Sequence, residues 1–255
     1  MFDIQTSRNQ WGQFNGRDTE TFSDQYVEDR TKVHEYNNDF DEFNTANYTV
    51  SNAGAGTTFA SIAGDNGIIQ AITAAGANDF YSIQNVRATY LFALGYRIFA
   101  EFVFSVDNAL ANIIAGLLNT TATPFTGASQ TDGVYITTAA TTAISVNAAV
   151  GGVITTTPNA AVLNPGLANF VTFKLYWDGG IYAAAPKGRI VWELSGSGVV
   201  TPARGEIAAP ANYPGVTLTN PTFGVQASSA AARTMYVDLF SILKDRVNVL
   251  ATPVF

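Results

Sequence analysis

Hydrophobic and polar positions alternate with a period of two along several stretches of this chain. In residues 170–177, Val171, Phe173, Leu175 and Trp177 fall on one side, with Thr172, Lys174 and Tyr176 on the other. This is the pattern of a half-buried β-strand. Residues 189–194 repeat it, with Ile190, Trp192 and Leu194 opposing Arg189, Val191 and Glu193. Asp178-Gly179-Gly180 and Pro186-Lys187-Gly188 break the chain between the two runs, and Ser195-Gly196-Ser197-Gly198 ends the second. The pair predicts a hairpin. Its apolar face carries aromatics large enough to require an opposing sheet.

Two further runs are equally regular. Residues 96–106 set Tyr96, Ile98, Ala100, Phe102, Phe104 and Val106 against Arg97, Phe99, Glu101, Val103 and Ser105. Residues 235–242 set Met235, Val237, Leu239 and Ser241 against Tyr236, Asp238, Phe240 and Ile242. Shorter strands are expected at 48–50, 80–84, 112–118, 134–137, 143–146, 152–156, 206–208, 216–218 and 222–226. A strand pair is expected within 57–74, turned at Asp65-Asn66-Gly67, where the Asn-Gly pair suits positive φ. Residues 86–94 fit a strand or a helix and are read as a strand. Many short strands separated by turn signals predict an all-β sandwich or jelly roll. No long amphipathic helix alternates with them, which argues against a doubly wound α/β fold.

Charge divides the chain. Residues 1–46 hold ten acidic and four basic side chains, and residues 47–255 hold ten and nine. The shift suggests a boundary, placed between an acidic extended N-terminal arm at 1–37 and a body at 38–247. Residues 248–255 form a C-terminal tail. The arm carries spaced aromatics, Trp11, Phe14, Phe22, Tyr26 and Tyr36. Such a segment is either a loosely docked terminus or an arm that orders on a partner, with the aromatics as anchors. A net charge of −7 opposes nonspecific nucleic-acid binding. No apolar run approaches the ~18 residues of a transmembrane helix, so no membrane association is expected. Nor does the N-terminus have the pattern of a secretory leader.

No charged residue lies between Asp107 and Asp132, nor between Asp132 and Lys174. Hydroxyl-rich strands can solvate such a surface. Burial beneath another subunit accounts for it better, because interface cores are poor in charge and uncovered charge-free strands invite aggregation.

The order of features resembles a known family. Asp39-Phe40-Asp41-Glu42-Phe43 begins the body and leads into a strand. The run at 96–107 is followed by an apolar strand ending in Leu117-Leu118-Asn119-Thr120. Then come Thr-Pro-Phe-Thr-Gly-Ala-Ser-Gln-Thr-Asp-Gly-Val-Tyr-Ile at 123–136, Phe-Lys-Leu-Tyr-Trp-Asp-Gly at 173–179, Val-Trp-Glu-Leu at 191–194 and the closing run at 235–246. Over residues 38–247 this is similar to the concanavalin A-like jelly-roll domains of tailed-bacteriophage virion proteins. The resemblance implies a non-enzymatic capsid decoration or cement protein on the outer surface of the phage head. It also implies a homotrimer bound to the major capsid protein. The arm lies outside the resemblance, and its expected role rests on its aromatics.

Little in the chain points to catalysis. With no cysteine and one histidine, His34 in the acidic segment, neither a Ser-His-Asp system nor a His- or Cys-based zinc site is expected in the body. Glycosidases need two carboxyls about 5–9 Å apart, most simply on one strand, and Glu101, Glu193 and Asp238 each stand alone on theirs. No catalytic, cofactor or metal residue is therefore expected. Asp107, Asp132 and Asp178 sit in turns, where oxygen-rich loops sometimes hold calcium. Local turn bonds explain them more simply. A second reading is a carbohydrate-binding module of a tail fibre or spike. In it Tyr176 and Tyr182 contact glycan, whereas Trp177 and Trp192 fall on the core side.

Overall fold

The computed structural model describes residues 33–41, 43–54, 58–62, 67–87, 89–121, 123–126, 130–179, 188–208 and 217–245. Those residues form fifteen strands and one short 3₁₀ turn, Thr45–Asn47. In chain order the strands are β1 (Val33–Asn38), β2 (Tyr48–Ala53), β3 (Thr58–Ser61), β4 (Ile69–Ile72), β5 (Phe80–Asn85), β6 (Ile98–Val106), β7 (Ala111–Asn119) and β8 (Gly133–Thr137). They continue with β9 (Ala143–Val150), β10 (Val153–Val162), β11 (Val171–Trp177), β12 (Arg189–Ser195), β13 (Ala203–Ala208), β14 (Thr219–Ala227) and β15 (Thr234–Asp245). One sheet runs β13-β12-β11-β6-β15-β4-β3, and the other β10-β9-β8-β7-β14-β5-β2. Every paired strand is antiparallel. The fold is an all-β jelly-roll sandwich.

The regular alternations place the core as the sequence predicts. Val171, Phe173, Leu175 and Trp177 of β11 and Ile190, Trp192 and Leu194 of β12 are buried between the sheets. The hairpin pairs in register, Phe173 opposite Leu194 and Leu175 opposite Trp192. Ile98, Ala100, Phe102, Phe104 and Val106 of β6 join the same core. Phe223 of β14 reaches across from the second sheet. Its ring lies edge-on to Phe102 at 5.6 Å and Phe104 at 6.5 Å, and tilted to Phe240 at 6.3 Å. Edge-to-face pairs of this kind add stability beyond the area they bury.

Four expectations are corrected. First, residues 86–94 are not a strand. Tyr90 makes a single bridge with Thr219, with N–H to O distances of 2.8 and 2.7 Å, and Tyr90 and Phe92 turn into the core. The aromatics bury as a strand's would, but only one residue pairs. Second, Leu218 is exposed outside any strand, and β14 begins one residue later. Third, β15 does not alternate strictly. The register against β6 shifts between Val237 and Leu239, a β-bulge at Asp238. The inward set is therefore Met235, Val237, Phe240 and Ile242. The bulge also divides one edge of β15, where β4 pairs with Thr234–Val237 and β1 with residues 240–245. Fourth, β1 runs across the boundary expected between residues 37 and 38. Its six residues pair with β15, so Val33 to Asn37 belong to the sheet.

The charge-free stretch makes up most of the second sheet. On the outer side of that sheet Ile114, Leu118, Tyr135 and Ala149 are buried together, with Phe125 of the 120–132 connection packed against them. The chain thus covers part of this face itself. Gly116 permits the close approach, since a Cβ there would lie 2.6 Å from Tyr135 Cα, and its φ is +147°. Uncharged partners satisfy several polar groups alongside, although the Tyr135 hydroxyl is buried without a hydrogen-bond partner. Gln84 donates to Thr222 Oγ1 at 2.9 Å and to the Asn119 carbonyl at 3.1 Å, Thr121 N–H donates to Gln84 at 2.9 Å, and Asn112 donates to Gln226 at 2.8 Å. Buried amides and hydroxyls paired in this way avoid the larger cost of desolvating charge.

Because Phe223 joins the two sheets, Phe223→Ala should lower the unfolding free energy by about 3–5 kcal/mol. Urea denaturation should show an earlier midpoint with a similar slope.

Candidate functional site

Tyr36 is the one arm aromatic among the described residues. Trp11, Phe14, Phe22 and Tyr26 lie outside them. The ring of Tyr36 stacks on Phe240 at 5.5 Å, and its hydroxyl accepts a hydrogen bond from Asn85 Nδ2 at 3.1 Å. Phe40 continues the cluster to Phe240 at 5.9 Å and Tyr48 at 6.2 Å. Phe43 then reaches Tyr48 at 5.3 Å and Phe59 at 5.5 Å. Tyr36 is therefore spent within the fold: it fixes β1 to the sandwich and presents no free anchor to a partner. Its two partners come from β15 and β5, far away in sequence, so composition alone gives no sign of them.

Tyr176, expected to be open to a glycan, is only 2% exposed. It offers no free ring face. Tyr182 lies outside the described residues. Trp177 is buried as expected, its Nε1 donating to the Ala93 carbonyl at 3.2 Å and its ring edge-on to Phe92 at 5.9 Å. His34 is exposed on β1, opposite Lys244.

Of the turn aspartates, Asp132 and Asp178 are committed to hydrogen bonds within the fold, whereas one carboxyl oxygen of Asp107 is buried without a hydrogen-bond partner. Asp178 is fully buried and accepts from the Arg189 backbone N–H at 3.0 Å and from its Nε at 2.8 Å, clamping the base of the central hairpin. Asp132 accepts from Gly151 N–H at 3.3 Å. Asn108 beside Asp107 accepts from Leu110 N–H at 2.8 Å. No three His, Asp or Glu side chains converge as a metal site among the described residues.

Register, not strand sequence, brings the body's charges together. Arg204 of β13 lies opposite Glu193 of β12, Glu193 opposite Lys174 of β11, and Lys174 opposite Glu101 of β6. The row alternates in sign across four strands on the outer face of the first sheet. Directly opposed unlike charges stabilise a sheet modestly. Lys174 Nζ stands 4.0 Å from Glu101, whose side chain is 16% exposed. Burial pushes the Glu101 carboxyl above the ordinary glutamate range; Lys174 opposes the rise and Glu193 adds to it. Each carboxylate looks solitary on its own strand because its neighbours lie one strand away. The row holds its acids apart with an ammonium between them, so it is a satisfied charge ladder and not an open acid pair. A further ion pair, Arg97 Nε to Asp245 Oδ2 at 3.1 Å, is buried at the end of β15.

Two measurements check these assignments. A carboxyl whose folded pKa is raised stabilises the fold below its unfolded pKa, and that contribution is lost as pH rises through the folded value. Glu101→Gln should therefore raise the melting midpoint by about 1–3 °C at pH 8 and leave it nearly unchanged near pH 4. Tyr36→Ala should speed limited proteolysis before residue 40 while the sandwich core stays resistant.

No protein-family profile matches the chain, and no curated protein matches it. Solved structures do. A protein of unknown function from Shewanella oneidensis MR-1 is 14% identical, covering 88% of this chain and 90% of its own, with a TM-score of 0.55. Peanut lectin is 10% identical, with 84% and 97% covered and a TM-score of 0.57. Lectin II from Ulex europaeus is 11% identical, with 83% and 98% covered and a TM-score of 0.58. None of these three is named as an enzyme. Identities this low establish shared architecture, and the chain has the concanavalin A-like jelly-roll fold of the legume lectins.

Proposed function

We propose that this chain is a non-enzymatic structural protein of a particle surface, a decoration or cement protein on the outside of a tailed-phage head. The observation that carries the reading is the anchoring of the acidic N-terminal segment. β1 ladders onto β15, and Tyr36 and Phe40 lock that ladder into the aromatic core. A segment fixed in this way can transmit load between a sandwich and a shell to which its other residues bind. The resemblance of residues 38–247 to virion jelly-roll domains supports the same reading. So does a set of charges engaged in structural pairs. The mechanism is passive. Contacts with the major capsid protein, repeated over the lattice, each add a small free energy that resists expansion of the shell.

The likeness to legume lectins favours a second reading, a carbohydrate-binding module. The burial of Tyr176 removes one of the two ring platforms expected for it. Cosedimentation separates the two readings. The purified chain should bind saturably to phage heads assembled without it and raise the temperature at which they release DNA. Failure to sediment with heads, together with saturable binding on a glycan array, would replace this reading with the lectin one.

A further inference from the structure

Strand β10 stands apart from the other strands. It is an edge strand of ten residues, paired only with β9 among the described strands. Val153, Ile154, Thr155 and Thr156 are all exposed, Val153 to 62%. Their register explains why. Val153, Thr155 and Thr157 pair with Val150, Ala148 and Val146, whose side chains are in the core. They therefore point to the inner side of the sheet, yet Val153 and Thr155 stay open. The first half of β10 overhangs the facing sheet. The far end is bonded instead: beyond the irregularity between Thr157 and Ala161, Val200 N–H donates to the Val162 carbonyl at 2.8 Å, and Leu163 bridges Val199.

An open, uncharged strand edge is a template for another strand. The usual protections are lacking here until Pro158: residues 153–157 contain no charge, no proline and no bulge. Two other edges carry ionisable side chains, and the uncharged edges β2 and β3 are shorter, six and four residues. β13 carries Arg204 and Glu206, and β1 carries His34 and Glu35. The two glycines before β10, Gly151 and Gly152, have φ of 55° and 82°, as a tight type I′ hairpin turn requires. That turn holds β10 on β9, so its outer edge is preformed.

We propose that Val153 to Thr157 is a self-association edge, pairing antiparallel with the same five residues of a second copy to continue the sheet across a two-fold axis. Charge permits a second copy as occupant. The chain carries −7 overall, so two copies repel over most approaches, and this segment lets them meet with no charge opposed. The strand is also self-complementary. A two-fold axis through Thr155 sets Thr155 against Thr155, Ile154 against Thr156 and Val153 against Thr157. Hydroxyl pairs and β-branched pairs of this kind favour antiparallel ladders. Each copy would also cover part of the overhanging inner face of the other. An isologous pair closes as a dimer, not as the trimer that the resemblance implies. The inference deepens the assembly reading above, since it names a copy of the chain as one of the partners.

The test is the association of full-length protein by sedimentation velocity, with amide hydrogen exchange read at Ile154 and Thr156. In the antiparallel ladder these two residues alternate with those bonded to β9 and face the open edge. The wild type should dimerise with rising concentration and gain protection at both amides. The doubly substituted Val153→Lys, Thr155→Lys chain should dimerise at least tenfold more weakly, because lysines then oppose one another. Both positions are exposed, so its melting midpoint should match the wild type. If the variant fails to fold, exchange in the wild type alone decides. A wild type that stays monomeric to about 1 mM would overturn the proposal, as would a dimer untouched by the lysines or one without added protection at residues 154 and 156. Cosedimentation of the lysine variant with heads reads the other question separately. Retained head binding keeps the decoration reading whatever the fate of the edge.

Discussion

The contact of Phe223 with Phe102, Phe104 and Phe240 is the constraint on which the rest of the sandwich depends. These rings come from β14 in one sheet and from β6 and β15 in the other. Each sheet has an apolar inner face that is unstable in water alone, and this seam sets their separation and mutual rotation. Once it forms, β6 and β15 lie side by side. The central hairpin then extends one edge, and β1 with β4 extends the other. Phe102 also stacks on Phe173 at 6.0 Å, so the seam reaches the hairpin without a break.

The two outer faces solve the problem of solvation differently. The first sheet keeps its charges and arranges them as the Arg204–Glu193–Lys174–Glu101 row, where each ion has an unlike neighbour across the ladder. The second sheet dispenses with charge. It packs Phe125 over Ile114, Leu118 and Tyr135, and it pairs several of its amides and hydroxyls with one another. A charge beneath that ring would be desolvated without a partner, at a cost of several kcal/mol. The scarcity of charge between Asp107 and Lys174, where Asp132 alone is charged, is therefore first a condition of intramolecular burial. Among the described strands of this sheet, β10 keeps the most exposure, which a subunit interface would need.

Much of this architecture was legible in the sequence where side-chain contrast is strong. The four most regular alternations, β6, β11, β12 and β15, all proved to be neighbours in one sheet, because large aromatics against charged residues mark inner and outer faces plainly. Legibility failed where contrast is low or where partners are remote. β10 has threonine and alanine on both faces and extends well past the segment expected. β1 has no period-two pattern and is a strand because β15 offers it an edge. Residues 86–94 alternate aromatics as a strand does, but they plug the core. The bulge at Asp238 reverses the second half of β15, and no periodicity within one strand forecasts it. The candidate site fared similarly. Tyr36 and Tyr176 read as free rings because the residues that bury or engage them are distant in sequence. The charge ladder needed the register of four strands before it became visible.

The position of β1 bears on how such a molecule would carry load. A terminal segment joined at a loop would peel away one bond at a time. Here the chain enters through six paired residues along β15, a strand held along its other edge by β6. Tyr36 adds its stack on Phe240, a ring that itself belongs to the seam between the sheets. Force arriving at Val33 is therefore shared by the ladder and passed to the best-packed part of the core.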